Sequence, residues 1–245
     1  MNILTTSRIE SIGPAAEQRV ILHDVGWATY EELLADLANQ SAVRLAYCQG
    51  TLEIMSPSTE HEIYNRIIAL LIDIWAEEIG VDIKRLGSST FKRADIQRGF
   101  EADSCFYIQN FDRVKGKFHI NLANDPAPDL VLEIDVTSGS LNKFPIYAQV
   151  GVPEIWRYDG QALRIYKLSG PDYVRSEQSL AFPLMTSHII TDLIERTKNL
   201  DGLELVRSIR ALIRENLKNT LASFCRETLE DSHRAVFSPG RAPEL

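Results

Sequence analysis

The chain has 245 residues, of which 44% are hydrophobic and 24% charged, and a formal net charge of -8. That is the composition of an ordinary soluble globular protein. No apolar run reaches the roughly 20 residues of a membrane span, no secretory leader is visible, and an acidic balance excludes a general nucleic-acid coat protein, whose affinity comes from basic surface. Cys48, Cys105 and Cys225 are scattered and lack CxxC spacing, which predicts neither a disulfide framework nor a zinc knuckle; a reducing cytoplasm is the expected location. Residues 186–245 balance 9 Lys+Arg against 9 Asp+Glu, so the excess acid lies in 1–185.

Residues 1–20 show no sustained period and predict a loose lead-in. VILHDVGWATYEELLADLA predicts a strand and then a helix starting near Thr29, where Thr-Tyr-Glu-Glu forms a capping box. RLAYCQGTLEIMSP predicts a hairpin turning at Gln49-Gly50, read either as an edge hairpin that only packs or as part of a site. STEHEIYNRIIALLIDIWAEEIG is the clearest helix, with a capping box at Thr59 and Glu62 and an apolar stripe at Ile63, Ile67, Leu70, Leu71 and Ile74. Glu60 lies on the edge of that stripe, where an acid needs a partner. His61 reads as a surface or cap residue, since no second histidine stands at helical spacing.

VDIKRLGSSTFKRADIQRGFEADSCFYIQN predicts two strands, the second with Glu101 and Asp103 on the same face as Cys105 and Tyr107. Lys84, Arg85, Lys92, Arg93, Arg98, Arg113, Lys115 and Lys117 make this the most basic region of an acidic chain, either a solvated edge or a rim that contacts phosphate. In the strand Leu130 to Val136, Leu130, Leu132, Ile134 and Val136 share one face and Asp129, Val131, Glu133 and Asp135 the other. Side chains two apart on a strand stand roughly 7 Å from each other, so these acids repel unless a cation or a proton sits among them. TSGS then forms a turn, and NKFPIYAQV predicts a short helix capped by Asn142, with Pro145 in its first turn and Lys143 at its entrance. Lys143 and Tyr147 share a face, and Tyr147 reads as a packing residue. VPEIWRYD and ALRIYKL predict two strands joined at Asp159-Gly160, and IYKLSGPDYV a further hairpin. Two helices follow, 187–198 and 202–224, the second with a stripe at Leu203, Val206, Ile209, Ile213, Leu217, Leu221 and Phe224. That stripe either folds back on the chain's own core or joins two copies in a homodimer.

On three segments, IMSPSTEH, EADSCFYI and PDLVLEIDVTSGSLNKFPIYAQVGVPEIWRYD, and on their spacing, the sequence resembles the bacterial Uma-type putative restriction endonuclease family of the PD-(D/E)XK nuclease superfamily over roughly residues 20–184. The resemblance implies an α/β (α+β) fold with a restriction-endonuclease-like αββαβ core, a central mixed sheet flanked by helices. The expected organisation is a lead-in at 1–20, a nuclease-like domain at 21–185, C-terminal helices at 186–226 as an appendage, and a disordered tail at 227–245. It also implies a metal-dependent endonuclease acting on DNA through Mg²⁺, with Mn²⁺ substituting and no organic cofactor or membrane. Asp103, Glu133 and Glu60 match the metal-binding acids and Lys143 the lysine, which together form the expected catalytic set. Two departures stand out: Ala102 replaces the Pro before Asp103, and Asp135 stands where the superfamily has its lysine, so that Lys143 on the next helix takes that place. The alternative is a nuclease-fold module that binds nucleic acid or a partner without cutting. Phosphodiester hydrolysis needs a hard cation, oxygen ligands and a group that orients water, and the acidic strands supply the oxygens.

Overall fold

The computed structural model describes residues 17–38, 43–136 and 141–236, with side chains up to residue 219. The predicted lead-in up to residue 16, the TSGS turn and the last residues of the predicted tail lie outside the described residues.

Two sheets form the frame. The first is antiparallel throughout, with strand order β1-β3-β2-β6-β5, and consists of β1 (Gln18–Leu22), β2 (Arg44–Cys48), β3 (Thr51–Ser56), β5 (Thr90–Arg93) and β6 (Arg98–Glu101). The second runs β11-β10-β9-β8-β7-β4, from β4 (Lys84–Leu86), β7 (Ser104–Tyr107), β8 (Leu130–Ile134), β9 (Glu154–Tyr158), β10 (Leu163–Ser169) and β11 (Asp172–Ser176). Only β8 and β9 are parallel, as their connection through helix α4 (Phe144–Val150) requires. The second sheet is therefore mixed and flanked by helices, and the fold is of the expected restriction-endonuclease-like class. The all-antiparallel first sheet was not foreseen as a separate layer.

The predicted turn at Gln49-Gly50 forms for the reason given. Gln49 and Gly50 both have positive φ, 42° and 94°, the requirement of a two-residue type I′ hairpin. The β2–β3 hairpin is nevertheless not an edge: β1 and β6 cover it on either side. The strand predicted across 100–107 breaks at Ala102-Asp103, with β6 in one sheet and β7 in the other. Glu101 and Asp103 thus do not share a strand face; Asp103 sits at the corner where the chain changes sheets. Helix α1 (Trp27–Asp36) begins before Thr29, with Gly26 at its N-cap and no side-chain cap.

Alternation along β8 sorts the core. Leu130, Leu132 and Ile134 pack with Ile68, Leu71, Ile72 and Trp75 of helix α2 (Thr59–Ile79), with helix α5 (Ser187–Thr197) and with Ile209 and Ile213 of helix α6 (Gly202–Val236). Val131, on the other face, packs with Ile146 and Tyr147 of α4 and with Phe91 and Phe100 of the first sheet. The first part of α6 thus folds back on its own core, held also by Arg210 and Arg214 on Glu78. Leu203 of the predicted stripe is left 70% exposed.

On the outer face of the first sheet, α1 brings Trp27 and Tyr30 onto Tyr47. Tyr30 lies so close to Gly99 that a β-carbon there would stand 2.1 Å from the Tyr30 hydroxyl and 2.7 Å from Cζ. Gly99→Ala overpacks this contact and is expected to lower stability by about 1–3 kcal/mol in urea denaturation. Tyr30→Phe in the same chain should recover part of the loss, because it removes the nearest atom. Equal stability of Gly99→Ala and wild type would contradict this packing.

Candidate active site

Asp103 is fixed by its position between the sheets. Its Oδ2 accepts from the backbone N–H of Ile134 at 2.7 Å, which ties the corner to the carboxyl end of β8. Its Oδ1 stands 3.0 Å from Arg44 Nη1 and 2.9 Å from His61 Nε2. These are ion-pair contacts in which neither N–H is aimed for a hydrogen bond, so Oδ1 is a buried acceptor without one. Asn65, also on α2, donates to the Asp103 carbonyl at 3.2 Å and accepts from Ser104 at 2.8 Å, which fixes the corner's backbone.

His61 is a correction to the sequence reading: it is fully buried rather than at the surface. The buried stripe of α2 runs through His61, Asn65, Ile68 and Ile72, while Ile63 is 49% exposed. Two polar residues on the inward face made the apolar count favour a rotated phase. For the same reason Glu60 stands exposed and pairs with none of the described residues; the fold does not bring it to Asp103. The helix cap is Ser58, whose hydroxyl accepts from His61 N at 3.1 Å, rather than Thr59. Glu62 is paired with Arg44 instead of closing a capping box.

Both imidazole nitrogens of His61 face carboxylates, since Nδ1 is 2.8 Å from Glu17 Oε2. Burial pulls its pKa down, but the close contacts with the Asp103 and Glu17 carboxylates outweigh this and raise it to about 9. His61 is therefore a cation at neutral pH. Burial likewise pushes Asp103 up, and His61, Arg44 and Lys143 together hold it below the usual carboxylate range.

Glu133 points from β8 into the space between the sheets. Its Oε2 receives the Lys143 ammonium at 2.9 Å and its Oε1 the Tyr147 hydroxyl. Lys143 stands at the N-cap of α4, with Asn142 accepting from Phe144 N at 3.2 Å. The short helix thus aims Lys143 and Tyr147, one turn apart, at a single carboxylate. Burial pushes the Glu133 carboxyl up. Burial works against the Lys143 ammonium, but Glu133, Asp103 and Glu53 outweigh it, so Lys143 stays protonated. Glu53, buried on β3, lies 3.9 Å from Lys143 and accepts from Leu141 N at 2.7 Å. Asp135 pairs with Arg157 and, at 3.5 Å, with Arg19, while Lys143 pairs with Glu133. Glu133, Asp135, Lys143, Tyr147, Arg19 and Arg157 help to line a cavity of about 130 Å³.

Of the expected set, the structure brings together Asp103, Glu133 and Lys143. It adds Arg44, His61, Glu53, Arg19, Glu17 and Tyr147. Tyr147 was visible as the helix-face partner of Lys143, and Arg44 and Glu53 as charges inside otherwise apolar strands. Glu101 serves the first sheet, accepting from Leu45 N at 2.8 Å and from Thr90.

Carboxylate oxygens are the donors a hard divalent cation takes; Glu133 lines the cavity, whereas Asp103 Oδ1 is buried against Arg44 and His61. Among the described residues, however, no three His, Cys, Asp or Glu side chains converge as a metal cage. Protein cations neutralise the acids instead.

The buried histidine has a measurable signature. Its folded pKa lies above the ordinary value of about 6.5, so its stabilising contribution is complete below that pH and is lost as pH rises through about 9. Wild-type stability in urea should fall across that window, and His61→Gln should remove this part of the slope. An unchanged slope in His61→Gln would refute the assignment.

No curated protein matches the chain. A crystal structure described as a putative nuclease belonging to DUF820 from Anabaena variabilis is 14% identical, with a TM-score of 0.38, over 69% of this chain and 90% of that one. No helix among the described residues is long and apolar enough to cross a membrane. The family model described as Uma2, Putative restriction endonuclease, matches residues 27–193, which span Asp103, Glu133, Lys143 and the elements that carry them, and the chain belongs to that family.

Proposed function

We propose that this protein is a Mg²⁺-dependent endonuclease that hydrolyses phosphodiester bonds of DNA, with Mn²⁺ able to substitute. One observation carries the reading: the buried carboxylate of Asp103 and the largely buried one of Glu133 both act on the Lys143 ammonium, which stands 2.9 Å from Glu133 at the wall of a cavity that Glu133 and Lys143 line. Membership of a restriction endonuclease family supports the same chemistry. A divalent cation held by Asp103 and Glu133 would neutralise charge on the phosphate and make a bound water more acidic. Exposed Glu60 leaves the ligand set, and Glu53 is the third acid nearest to Lys143.

The chain's own residues supply the rest. Lys143 stays protonated, so it acts on charge developing at the phosphate rather than as a base. Tyr147 holds Glu133 in one orientation by donating to Oε1. Arg157 and Arg19 stand at the cavity, where each exchanges a carboxylate for a phosphate oxygen without changing its charge. A homodimer belongs to this reading, because cutting a duplex requires reaching both strands and the apolar stripe of α6 continues in the sequence at Leu221 and Phe224.

The test is nicking of supercoiled plasmid with Mg²⁺ or Mn²⁺ against EDTA. Wild type should nick only with metal, and Asp103→Asn with Glu133→Gln should be inactive and should lose the metal-dependent rise in melting temperature expected from mass action. Lys143→Ala should lower turnover by on the order of 10²-fold with metal affinity nearly unchanged, and Lys143→Arg should rescue only in part. A folded Lys143→Ala that cuts at the wild-type rate refutes the catalytic role of the lysine. A monomeric mass in light scattering refutes the dimer.

A second reading has its own observation. Asp103 and Glu133 are already neutralised by Arg44, His61 and Lys143, as in a module whose acids persist for stability and which binds without cutting. Absence of metal-dependent nicking together with retained DNA binding would decide for it.

A further inference from the structure

The 113–129 segment, from the end of the short helix α3 (Phe111–Val114) to β8, carries a side chain that the fold leaves unused. Phe118 is 96% exposed, the largest exposure among the described apolar residues. Looseness of the loop does not explain it. Lys117 N donates to Val114 O at 3.1 Å, Lys84 Nζ donates to Lys117 O at 2.6 Å, and Asn124 N and Asp125 N both donate to Asn121 O, at 2.9 and 2.7 Å. Tyr107 OH pins the far side by donating to Pro126 O at 2.9 Å. The same segment buries Val114 and Leu122, so the core had a means of taking up apolar groups here. Phe118 is held out by a braced backbone.

The stretch of sequence that carries it is basic. Residues 113–119 carry Arg113, Lys115 and Lys117 and no acid, in a chain of net charge -8. All three cations, like Phe118 and His119, are exposed. Lys115 is 5.4 Å from the Phe111 ring, and exposed Lys117 is bridged to Asp125, whose own side chain is largely covered and also accepts from Asn121 N. A solvated edge that resists aggregation accounts for the lysines but not for an aromatic ring raised among them. An aromatic face flanked by cations matches a nucleobase flanked by phosphates: stacking takes the base and the lysines take the backbone.

We propose that the 113–119 loop is a single-strand DNA contact in which Phe118 stacks on an unpaired base and Lys115 and Lys117 meet the adjoining phosphates. A single strand is the fitting partner because duplex bases already have both faces covered, and reaching one requires unstacking it first. The assignment rests on the nucleic-acid reading above and adds the form of DNA that is engaged.

The experiment is fluorescence anisotropy of the full chain with a labelled 20-residue single-stranded oligonucleotide and its duplex, in EDTA so that no cleavage intervenes. Phe118→Ala should weaken single-strand binding roughly 10-fold, with duplex binding and the salt dependence unchanged. Phe118→Trp should retain affinity, whereas Phe118→Leu, which is apolar but cannot stack, should behave like Phe118→Ala. The pair Lys115→Ala and Lys117→Ala should flatten the logarithmic salt slope on the single strand by about 1.4, at 0.7 per phosphate. Phe118→Ala binding as tightly as wild type, Phe118→Leu retaining full affinity, or a Phe118→Ala that changes the mass in light scattering would each overturn the assignment. The first two would leave the nuclease reading standing. A wild type that binds neither DNA overturns the assignment, and metal-dependent plasmid nicking then decides the nuclease reading separately.

Discussion

The structure depends on one buried carboxylate that no single element could hold. Asp103 stands where the chain leaves the first sheet for the second, and its partners come from the end of β8, the start of β2 and the first turn of α2. Each partner is itself tied onward, Arg44 to Glu62 and His61 to Glu17. The corner is therefore fixed by charge as much as by packing, and the two sheets and the long helix share a common point. Ala102 just before it is fully buried, which leaves no room at the corner for exposed backbone, and the Ile134 N–H at the end of β8 is satisfied by the aspartate.

Such an arrangement is not the cheapest way to join two sheets. Removing charges from water costs several kcal/mol per ion, and well-packed apolar groups of similar volume often do as well or better. Other buried acids in this chain show the economical solution: Glu154 accepts from Ser179 at 2.7 Å, Ala181 N at 3.0 Å and the Trp156 indole at 2.5 Å, and Asp129 accepts from Ile108 N, Asn110 N and the Asn110 side chain. Neither needs a cation, because neutral donors saturate it. Asp103 and Glu133 differ in being neutralised by charged side chains, and Asp103 Oδ1 ends without an aligned hydrogen bond. Structure alone does not call for that difference, and it separates the candidate site from the acids that only hold loops.

How far the sequence foretold this follows from what periodicity can detect. The alternation in β8 was legible because Leu130, Leu132 and Ile134 meet a helix layer while Glu133 does not, so the pattern of two is undisturbed. Pro145 and Asn142 located α4 and hence Lys143, since both act locally. The α2 register was misread because His61 and Asn65 occupy inward positions, and a count of apolar residues cannot recognise a polar side chain buried through partners that are distant in sequence. The break at Asp103 was hidden for a similar reason: GFEADSCFY alternates well enough to pass for one strand, and only the pairing of β6 with β2 and of β7 with β8 separates the two sheets. Glu101 was drawn into the wrong group by that continuity.

The contribution of β1 brings the local and the distant together. Its strand is short and sits at the edge of the first sheet, with Val20 and Leu22 more than 40% exposed, so its apolar side chains do little to anchor it. Glu17 and Arg19 do more: Glu17 reaches His61, and Arg19 reaches Glu53 and Asp135 at the cavity wall. The strand is thus placed by the charges of the site as well as by its ladder with β3. A weakly packed edge strand that closes one side of a charged cavity is a part whose position responds to what that cavity holds. A phosphate entering between Arg19, Arg157 and Lys143 would compete directly with Glu53, Asp135 and Glu133 for the same cations, and the first element to feel the exchange would be β1, since Arg19 belongs to it while the competing acids belong to better-buried strands.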